Sequence, residues 1–196
     1  MTANEEIMEF KIECEDILLV EFRPEDFDHF HALTWQPEIY RYLPGWNVSK
    51  DQRKDWFFNY EIQENKQFLK MVAAEGASIG ELRLRLGIIL KETGEFIGWC
   101  TTGIKEELPS PNREIVYAVS KHHTGKGYAV QAAQGLITYL FQHTDVEILN
   151  AITLIDNFAS NRVIQKCGFE KAGNIEIDNE LFHHYQLNKS SWRGPQ

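Results

Sequence analysis

Cysteine is scarce in this chain of 196 residues. Cys14, Cys100 and Cys167 are odd in number and far apart, and no C-x-x-C motif occurs among them. The pattern excludes a disulfide framework and a cysteine-based zinc site, so we expect no metal. It also favours a reducing compartment, in line with a cytoplasmic protein.

Long apolar runs and basic clusters are missing as well. No run approaches the roughly 20 apolar residues that span a bilayer, and the N-terminus lacks a signal-peptide pattern, so we expect no membrane association. The formal net charge is −9 and no basic stripe is visible, which makes nucleic acid a poor candidate partner.

The composition is that of an ordinary globular domain, with 43% hydrophobic and 25% charged residues. At this length a single domain is the default expectation. We predict an N-terminal segment over residues 1–16 with a loosely held start, one domain over 17–188 and a C-terminal tail over 189–196.

Hydrophobic periodicity predicts an α/β (α+β) fold. Strict alternation over residues 82–90 is typical of a strand, and Ser49 with Gln52 forms a capping-box pattern that opens a long helix reaching Val72. Further strands are predicted over 17–22, 96–104, 115–119, 148–155, 168–172 and 181–187, and further helices over 128–140 and 160–167. The order predicts a mixed, mostly antiparallel sheet of six to seven strands with helices on both faces.

A glycine-rich turn joins the strand over 115–119 to the helix over 128–140. Gly125 and Gly127 bracket Lys126, and the helix begins directly afterwards. Unpaired N–H groups and the macrodipole at such a helix N-terminus attract phosphate. A dinucleotide or nucleotide enzyme is disfavoured, because the third glycine of G-x-G-x-x-G and any G-x-x-x-x-G-K-[ST] motif are missing.

Three segments resemble the GCN5-related N-acetyltransferase (GNAT) superfamily, and within it the RimJ/RimL-type branch. They are His122-His-Thr-Gly125-Lys-Gly127, Asn157-Phe-Ala-Ser160 continuing to Gly168-Phe169, and Phe22-Arg-Pro-Glu-Asp-Phe27 with the Pro37–Pro44 stretch after it. The resemblance covers about residues 17–188. It implies a single-domain GNAT fold whose sheet splays between the fourth and fifth strands, and acetyl-CoA as co-substrate.

The same resemblance implies a cofactor site. Ala118 and Val119 would bind the pantetheine amides, with the Val119 N–H also donating to the acetyl oxygen, and Asn157 would lie near the sulfur with Asn161 one turn further on. The diphosphate would be held at the glycine turn by His122, Thr124, Gly125, Lys126, Gly127, Tyr128 and Ala129. His122 departs from the Arg or Gln of the family pattern.

The reaction implied is direct attack of a primary amine on the thioester in a ternary complex. Glu114 is the candidate base, because an amine must lose its proton before it attacks. Ser160 is the candidate proton donor to the thiolate, since Ile164 stands where many family members have Tyr. Glu114 as a solvated edge carboxylate and Ser160 as a helix-cap residue are the alternatives.

The acceptor is not specified by the sequence. Trp35, Tyr40, Tyr42 and Trp46 lie in one proline-broken loop and are candidates for an acceptor-binding wall, or alternatively for core packing. A protein N-terminal amine and a small-molecule amine are both consistent with the resemblance. A non-catalytic acyl-CoA-binding module is the alternative function, and a homodimer is left open.

Overall fold

A computed structural model of the protein describes residues 10–74 and 78–194. The loosely held start predicted for the N-terminal segment falls on residues 1–9 and lies outside the described residues. Within the described ranges, none of the helices is both long and apolar enough to cross a bilayer.

The described residues form a mixed sheet with the strand order β1-β2-β3-β4-β5-β6-β8-β7. All neighbouring strands are antiparallel except β5 and β6. The strands are β1 Lys11–Glu13, β2 Ile17–Glu21, β3 Leu84–Leu90, β4 Phe96–Ile104, β5 Arg113–Val119, β6 Ile148–Leu154, β7 Glu170–Ile177 and β8 Glu180–Asn188.

Eight strands are thus present where the sequence predicted six to seven. The additional strand, β1, lies in the segment assigned to the N-terminus, and its Lys11 pairs with Val20 of β2. Three residues are too few to show an alternating pattern, which is why periodicity missed it.

Six α-helices in the described ranges cover the sheet. They are α1 Phe27–Thr34, α2 Pro37–Tyr40, α3 Lys50–Trp56, α4 Ile62–Ala73, α5 Tyr128–His143 and α6 Phe158–Lys166. Short 3₁₀ segments occupy Pro24–Asp26, Lys121–His123 and Lys189–Ser191. The long helix predicted from Ser49 is α3 and α4 joined through a π-helical turn at Phe57–Glu61, and the Ser49 hydroxyl accepts from Gln52 N at 3.3 Å as the capping pattern predicts.

The two sheet faces bury separate cores. Leu136 and Leu140 of α5 pack with Ile115 on one face, whereas Phe30 of α1 and Trp99 of β4 pack on the other. Successive residues of a strand point to opposite faces, so β5 contributes to both cores. Side chains on one face of the sheet are therefore separated from those on the other face, except where the sheet opens.

The sheet opens between β5 and β6, the strands predicted as the fourth and fifth. Their parallel pairing is limited to Glu114 with Asn150. The Asn150 side-chain amide donates to Pro111 O at 2.9 Å and to Arg113 O at 3.0 Å, which joins the two strands at this point. Beyond it the strands diverge, and the predicted splay is confirmed.

Candidate active site

Two adjoining cavities surround the opening between β5 and β6. The larger has a volume of about 1520 Å³ and is lined by the glycine turn, by both faces of β5 and by the start of α6. The smaller, of about 310 Å³, lies on the face that carries Glu114. The two share Trp46, Arg83, Ile104, Glu114 and Val116, so they form one continuous site.

The glycine turn presents main-chain N–H groups to the larger cavity. Gly125 and Gly127 have φ values of +78° and +86°, in the left-handed region that favours glycine. Gln131 N makes the first backbone bond of α5, to Gly127 O, and no described residue accepts from the N–H groups over 127–130. A Cβ at either glycine would meet no protein atom within 4 Å, so the space beside the turn is open to a ligand.

Most of the turn residues predicted to bind the diphosphate line this cavity. They are Thr124, Gly125, Gly127, Tyr128 and Ala129. His122 and Lys126 are exposed and line neither cavity. Within the 3₁₀ segment Lys121–His123, it is His123 that lines the larger cavity. The His123 Nε2 lies 3.3 Å from Glu95 Oε1, an interaction 28 residues apart in sequence that local patterns do not reveal.

The backbone of β5 offers alternate groups to the opening. Ser120 N donates to Ile97 O of the segment that includes β4, at 2.7 Å. By the two-residue period, the N–H and C=O of Ala118 also face β4, whereas those of Tyr117 and Val119 face the opening. Arg113, which is separated from Tyr117 and Val119 by an even number of residue steps, also faces β6, because its carbonyl accepts from the Asn150 side chain. Ala118 lines the cavity. Its N–H and C=O groups face β4, however, whereas the sequence analysis predicted that they bind the pantetheine amides.

The start of α6 gives Asn157 and Asn161 different roles. Asn157 lines the larger cavity and caps the helix, its Oδ1 accepting from Ser160 N at 3.1 Å. Asn161 is buried and does not line the cavity; its amide donates to Leu154 O and Asn157 O and accepts from the Tyr185 hydroxyl at 2.7 Å. The side-chain polar atoms of Asn161 are therefore engaged within the fold, and its contact with the cofactor stays a prediction.

Ser160 is paired with a tyrosine that the sequence analysis did not identify. The Tyr117 hydroxyl lies 3.0 Å from Ser160 Oγ and 3.2 Å from Ser160 O, and both side chains line the larger cavity. Burial raises the pKa of Tyr117 well above its usual range, so this phenol stays protonated and can donate. The signal in the sequence was its position, two residues before Val119 and on the face opposite to Glu114.

Glu114 is a partly buried carboxyl that both cavities share. Burial raises its pKa to about 7; Lys105 and Arg83 act in the lowering direction and Glu107 in the raising direction. Its carboxylate has no hydrogen-bond or ion-pair partner in the described part of the chain. A carboxyl with a pKa near neutrality can both accept and release a proton under ordinary conditions.

The aromatic loop divides into lining and non-lining residues. Tyr42 and Trp46 line the cavities, and Trp46 also stacks on Trp99 with ring centroids 5.2 Å apart. Trp35 and Tyr40 line neither cavity; the Trp35 indole N–H donates to Val48 O at 3.1 Å. Two of the four residues predicted to form an acceptor-binding wall therefore line a cavity, and their contact with an acceptor stays a prediction.

Several charged residues of the site were not predicted from the sequence. Arg162 and Lys166 of α6 line the larger cavity. The smaller cavity is lined by a further group of aromatic and charged side chains, namely Arg53, Trp56, Tyr60, Glu61, Arg83 and Arg85. Helical spacing placed Trp56 and Tyr60 on the long helix, but the packing of that helix against β3 is a tertiary feature.

Comparison with known proteins places this architecture in a family. The model of the Acetyltransferase (GNAT) domain family matches residues 16–170. Among curated proteins, YkkB of Bacillus subtilis is 31% identical over 157 residues, covering 80% of this chain and 83% of that protein. The uncharacterized N-acetyltransferase p20 of Bacillus licheniformis is 28% identical over 162 residues, covering 81% and 82%.

Solved structures share the fold at low sequence identity. A GNAT-family acetyltransferase from Bacillus anthracis has a TM-score of 0.71 at 19% identity, covering 93% of this chain and 100% of that one. RimL, a ribosomal L7/L12 α-N-protein acetyltransferase solved with coenzyme A, has a TM-score of 0.71 at 16% identity, covering 91% and 98%. The family match over most of the chain shows that this protein belongs to the GNAT acetyltransferases.

Proposed function

We propose that this protein transfers the acetyl group of acetyl-CoA to a primary amine, by direct attack in a ternary complex. The observation that carries the proposal is the continuity of three features in one cavity. An anion-binding helix start, a strand edge with free N–H groups and a carboxyl of near-neutral pKa all line it. The residues of the glycine turn are compatible with acetyl-CoA, because the space beside Gly125 and Gly127 is open where a phosphate would bind.

The turn and α6 would hold the charged part of the cofactor. N–H groups over 127–130 would donate to the diphosphate, and the positive end of the α5 macrodipole adds to the attraction. Arg162 and Lys166 line the same cavity and would pair with its phosphate groups. A chain of net charge −9 needs such local positive groups to bind a polyanion.

The strand edge would orient the pantetheine and the acetyl group. The N–H groups of Tyr117 and Val119 that face the opening between β5 and β6 lie about 7 Å apart along the strand. Tyr117 N is about 10 Å from Glu114 along β5, against about 16 Å for Val119 N. We therefore assign the acetyl oxygen to the Tyr117 N–H, where developing negative charge is stabilised, and a pantetheine amide to Val119.

Glu114 would receive the proton of the attacking amine. Its distance from the Tyr117 N–H requires transfer through water rather than direct contact. As the new N–C bond forms and the C–S bond breaks, the amine proton passes to the carboxylate. Its pKa of about 7 leaves a large deprotonated fraction at neutral pH.

Ser160 would pass its proton to the departing thiolate while it accepts one from Tyr117, and Tyr117 would regain its proton from water in the cavity that both residues line. A hydroxyl that donates to sulfur can at the same time accept from the Tyr117 hydroxyl, 3.0 Å away. The pair would serve in place of the tyrosine that many family members carry at the position of Ile164. Because the Tyr117 phenol stays protonated, it remains available as the donor.

Turnover with purified protein tests the proposal. Acetyl-CoA is incubated with a panel of primary amines, while free thiol release and the acetylated product are followed by absorbance and mass spectrometry. Isothermal titration with coenzyme A measures binding separately. Thiol release coupled to acetyl-amine formation is the expected result; binding without turnover would support the non-catalytic module, and a failure to bind would overturn the cofactor assignment.

A further inference from the structure

The smaller cavity contains an arginine without an ion-pair partner among the described residues. Arg53 pairs with Glu61 at 3.1 Å, and Arg85 pairs with Glu64 at 2.8 Å. Arg83 lines the same cavity but forms no ion pair with any residue of the described ranges. Its Nη2 reaches only the Ile104 carbonyl, at 3.5 Å.

Arg83, the residue before β3, lies in a row with Gly103 of β4 and Glu114 of β5. Gly103 of β4 is paired with Glu114 of β5, and a Cβ built on Gly103 would lie 2.9 Å from the Cγ of Arg83. The arginine stem therefore rests on the bare backbone of Gly103. Two strand spacings put the Arg83 and Glu114 backbones about 10 Å apart, so a small ligand fits between a cationic and an anionic group.

We propose that the amine acceptor is a small α-amino acid, whose carboxylate binds the Arg83 guanidinium while its amine faces Glu114. The proposal rests on the function proposed above and names the substrate class of the same site. Guanidinium and carboxylate groups form bidentate hydrogen bonds, which fixes the ligand orientation. An amine one carbon away from that carboxylate is then directed along β5 toward the opening.

The remaining walls favour an apolar side chain on this amino acid. Trp46, Trp56 and Tyr60 line the smaller cavity beside the charged row. The guanidinium of Arg53 lies over the Trp46 and Trp56 rings, at 5.7 Å and 5.3 Å from their centroids. Arg53 therefore already occupies the position on these rings that the cation of a ligand would take. An apolar group is what the exposed ring surfaces can still accommodate.

Polycationic acceptors fit this cavity less well. Three guanidinium groups line it, and Glu61 and Glu64 pair with two of them, those of Arg53 and Arg85. A polyamine or aminoglycoside would bring several ammonium groups beside the Arg83 guanidinium, with only the Glu114 carboxyl to pair with them. A zwitterion matches it without net charge, and the volume of about 310 Å³ is suited to a ligand of this size.

Binding of matched ligand pairs tests the inference independently of turnover. L-Phenylalanine, L-leucine and L-methionine are each titrated into protein saturated with coenzyme A, beside the amine that lacks the carboxylate, such as phenethylamine. We expect each amino acid to bind roughly 10- to 100-fold more tightly than its decarboxylated partner. Equal affinities for all three pairs, or binding by none, would overturn the inference.

Variants of the arginine locate the effect. Arg83→Gln should abolish the preference for the carboxylate without weakening phenethylamine binding, and Arg83→Lys should retain part of the preference. Arg193→Gln is the matched control, because Arg193 is exposed and lines neither cavity. A carboxylate preference that survives in Arg83→Gln contradicts the assignment.

Acetylation of the same six ligands separates this inference from the proposed function. Preferential acetylation of the amino acids supports both. Acetylation of the simple amines at equal efficiency leaves the N-acetyltransferase function intact and overturns the substrate class. Arg83-dependent binding of amino acids without acetylation supports the ligand class and counts against catalysis.

Discussion

The Tyr117 hydroxyl and the Ser160 Oγ lie 3.0 Å apart across the larger cavity, joining β5 to the first turn of α6. Ser160→Ala should lower kcat by roughly 100-fold, because the thiolate would leave without a proton donor. Tyr117→Phe should lower kcat less, since the Ser160 hydroxyl can still donate its own proton to the thiolate. Steady-state kinetics give kcat, and titration with coenzyme A should show little change in affinity for either variant.

Tyr185→Phe is the matched control for the tyrosine. Its hydroxyl is also buried and also bonds to an α6 side chain, Asn161, at 2.7 Å. Removing it should lower the melting temperature without lowering kcat. Should Tyr117→Phe behave like Tyr185→Phe, the Tyr117 hydroxyl supports structure only.

The pH dependence of activity should report the ionisation of Glu114. The base must be deprotonated, so kcat/KM should rise with pH through about 7. Glu114→Gln should lose this rise and follow instead the deprotonation of the free amine, whose pKa is about 8 to 10. The fold difference between the two proteins should thus be largest below pH 7, at about 100-fold, and should shrink as the pH approaches the pKa of the amine. Profiles of kcat/KM from pH 5.5 to 9.5 measure it.

Two neighbouring charges should move that profile in opposite directions. Lys105 lowers the pKa of Glu114 and Glu107 raises it. Lys105→Met should therefore shift the rise to higher pH, and Glu107→Gln should shift it to lower pH, with the activity at its upper end preserved. A rise that stays in place in both variants would assign it to a group other than Glu114.

Local patterns in the sequence predicted the parts of this site that are formed by neighbouring residues. The glycine turn, the start of α5 and the cap of α6 each depend on a few adjacent positions, and the positive φ of Gly125 follows from the turn itself. Strand assignments from alternation succeeded for the same reason. The family resemblance added the splay, which no local pattern shows.

Other parts depend on contacts between distant segments and could not be predicted. Neighbouring strand residues present their N–H and C=O groups to opposite sides, and the register of β5 against β4 decides that Ala118 faces β4 and Tyr117 faces the opening. Asn161 is engaged by Tyr185, 24 residues away, and Tyr117 meets Ser160 across 43 residues. A sequence alone shows that these polar residues exist but not which partners satisfy them.

Gly125→Ala should weaken binding of acetyl-CoA much more than it destabilises the fold. A non-glycine residue at a φ of +78° costs about 1–2 kcal/mol in stability, and its Cβ would enter the space beside the turn where we propose that the diphosphate binds. We expect a rise in Kd of at least tenfold by isothermal titration. Melting temperatures measured in parallel report the strain.

Gly94→Ala provides the matched control for that substitution. Gly94 has a φ of +71° and a Cβ there also meets no atom within 4 Å, but it lies in the β3–β4 connection and lines neither cavity. The same loss of stability with an unchanged Kd is expected. Equal effects of the two substitutions on Kd would contradict the diphosphate assignment.

Asn150→Ala should both destabilise the protein and weaken cofactor binding. The fully buried Asn150 amide donates to Pro111 O and Arg113 O, and its oxygen accepts from His184 Nε2 at 2.8 Å and Gln186 Nε2 at 3.1 Å. Removing it leaves buried groups without partners, which lowers the free energy of unfolding by roughly 2–4 kcal/mol. Loss of the Asn150 side chain also releases β5 from β6 at the end of the opening, so the distance between the two strands there is no longer fixed. Denaturant unfolding and titration with coenzyme A measure the two effects.

Asn65→Ala separates slot geometry from general stability. Asn65 is equally buried and makes a comparable pair of bonds, donating to Arg85 O at 2.7 Å and accepting from Arg85 N at 2.8 Å, but it lies on α4 beside β3. Its loss should reduce stability by a similar amount and leave the Kd for coenzyme A unchanged. If the two asparagine variants change Kd equally, the opening between β5 and β6 does not depend on the Asn150 bonds and is set by the divergence of the strands themselves.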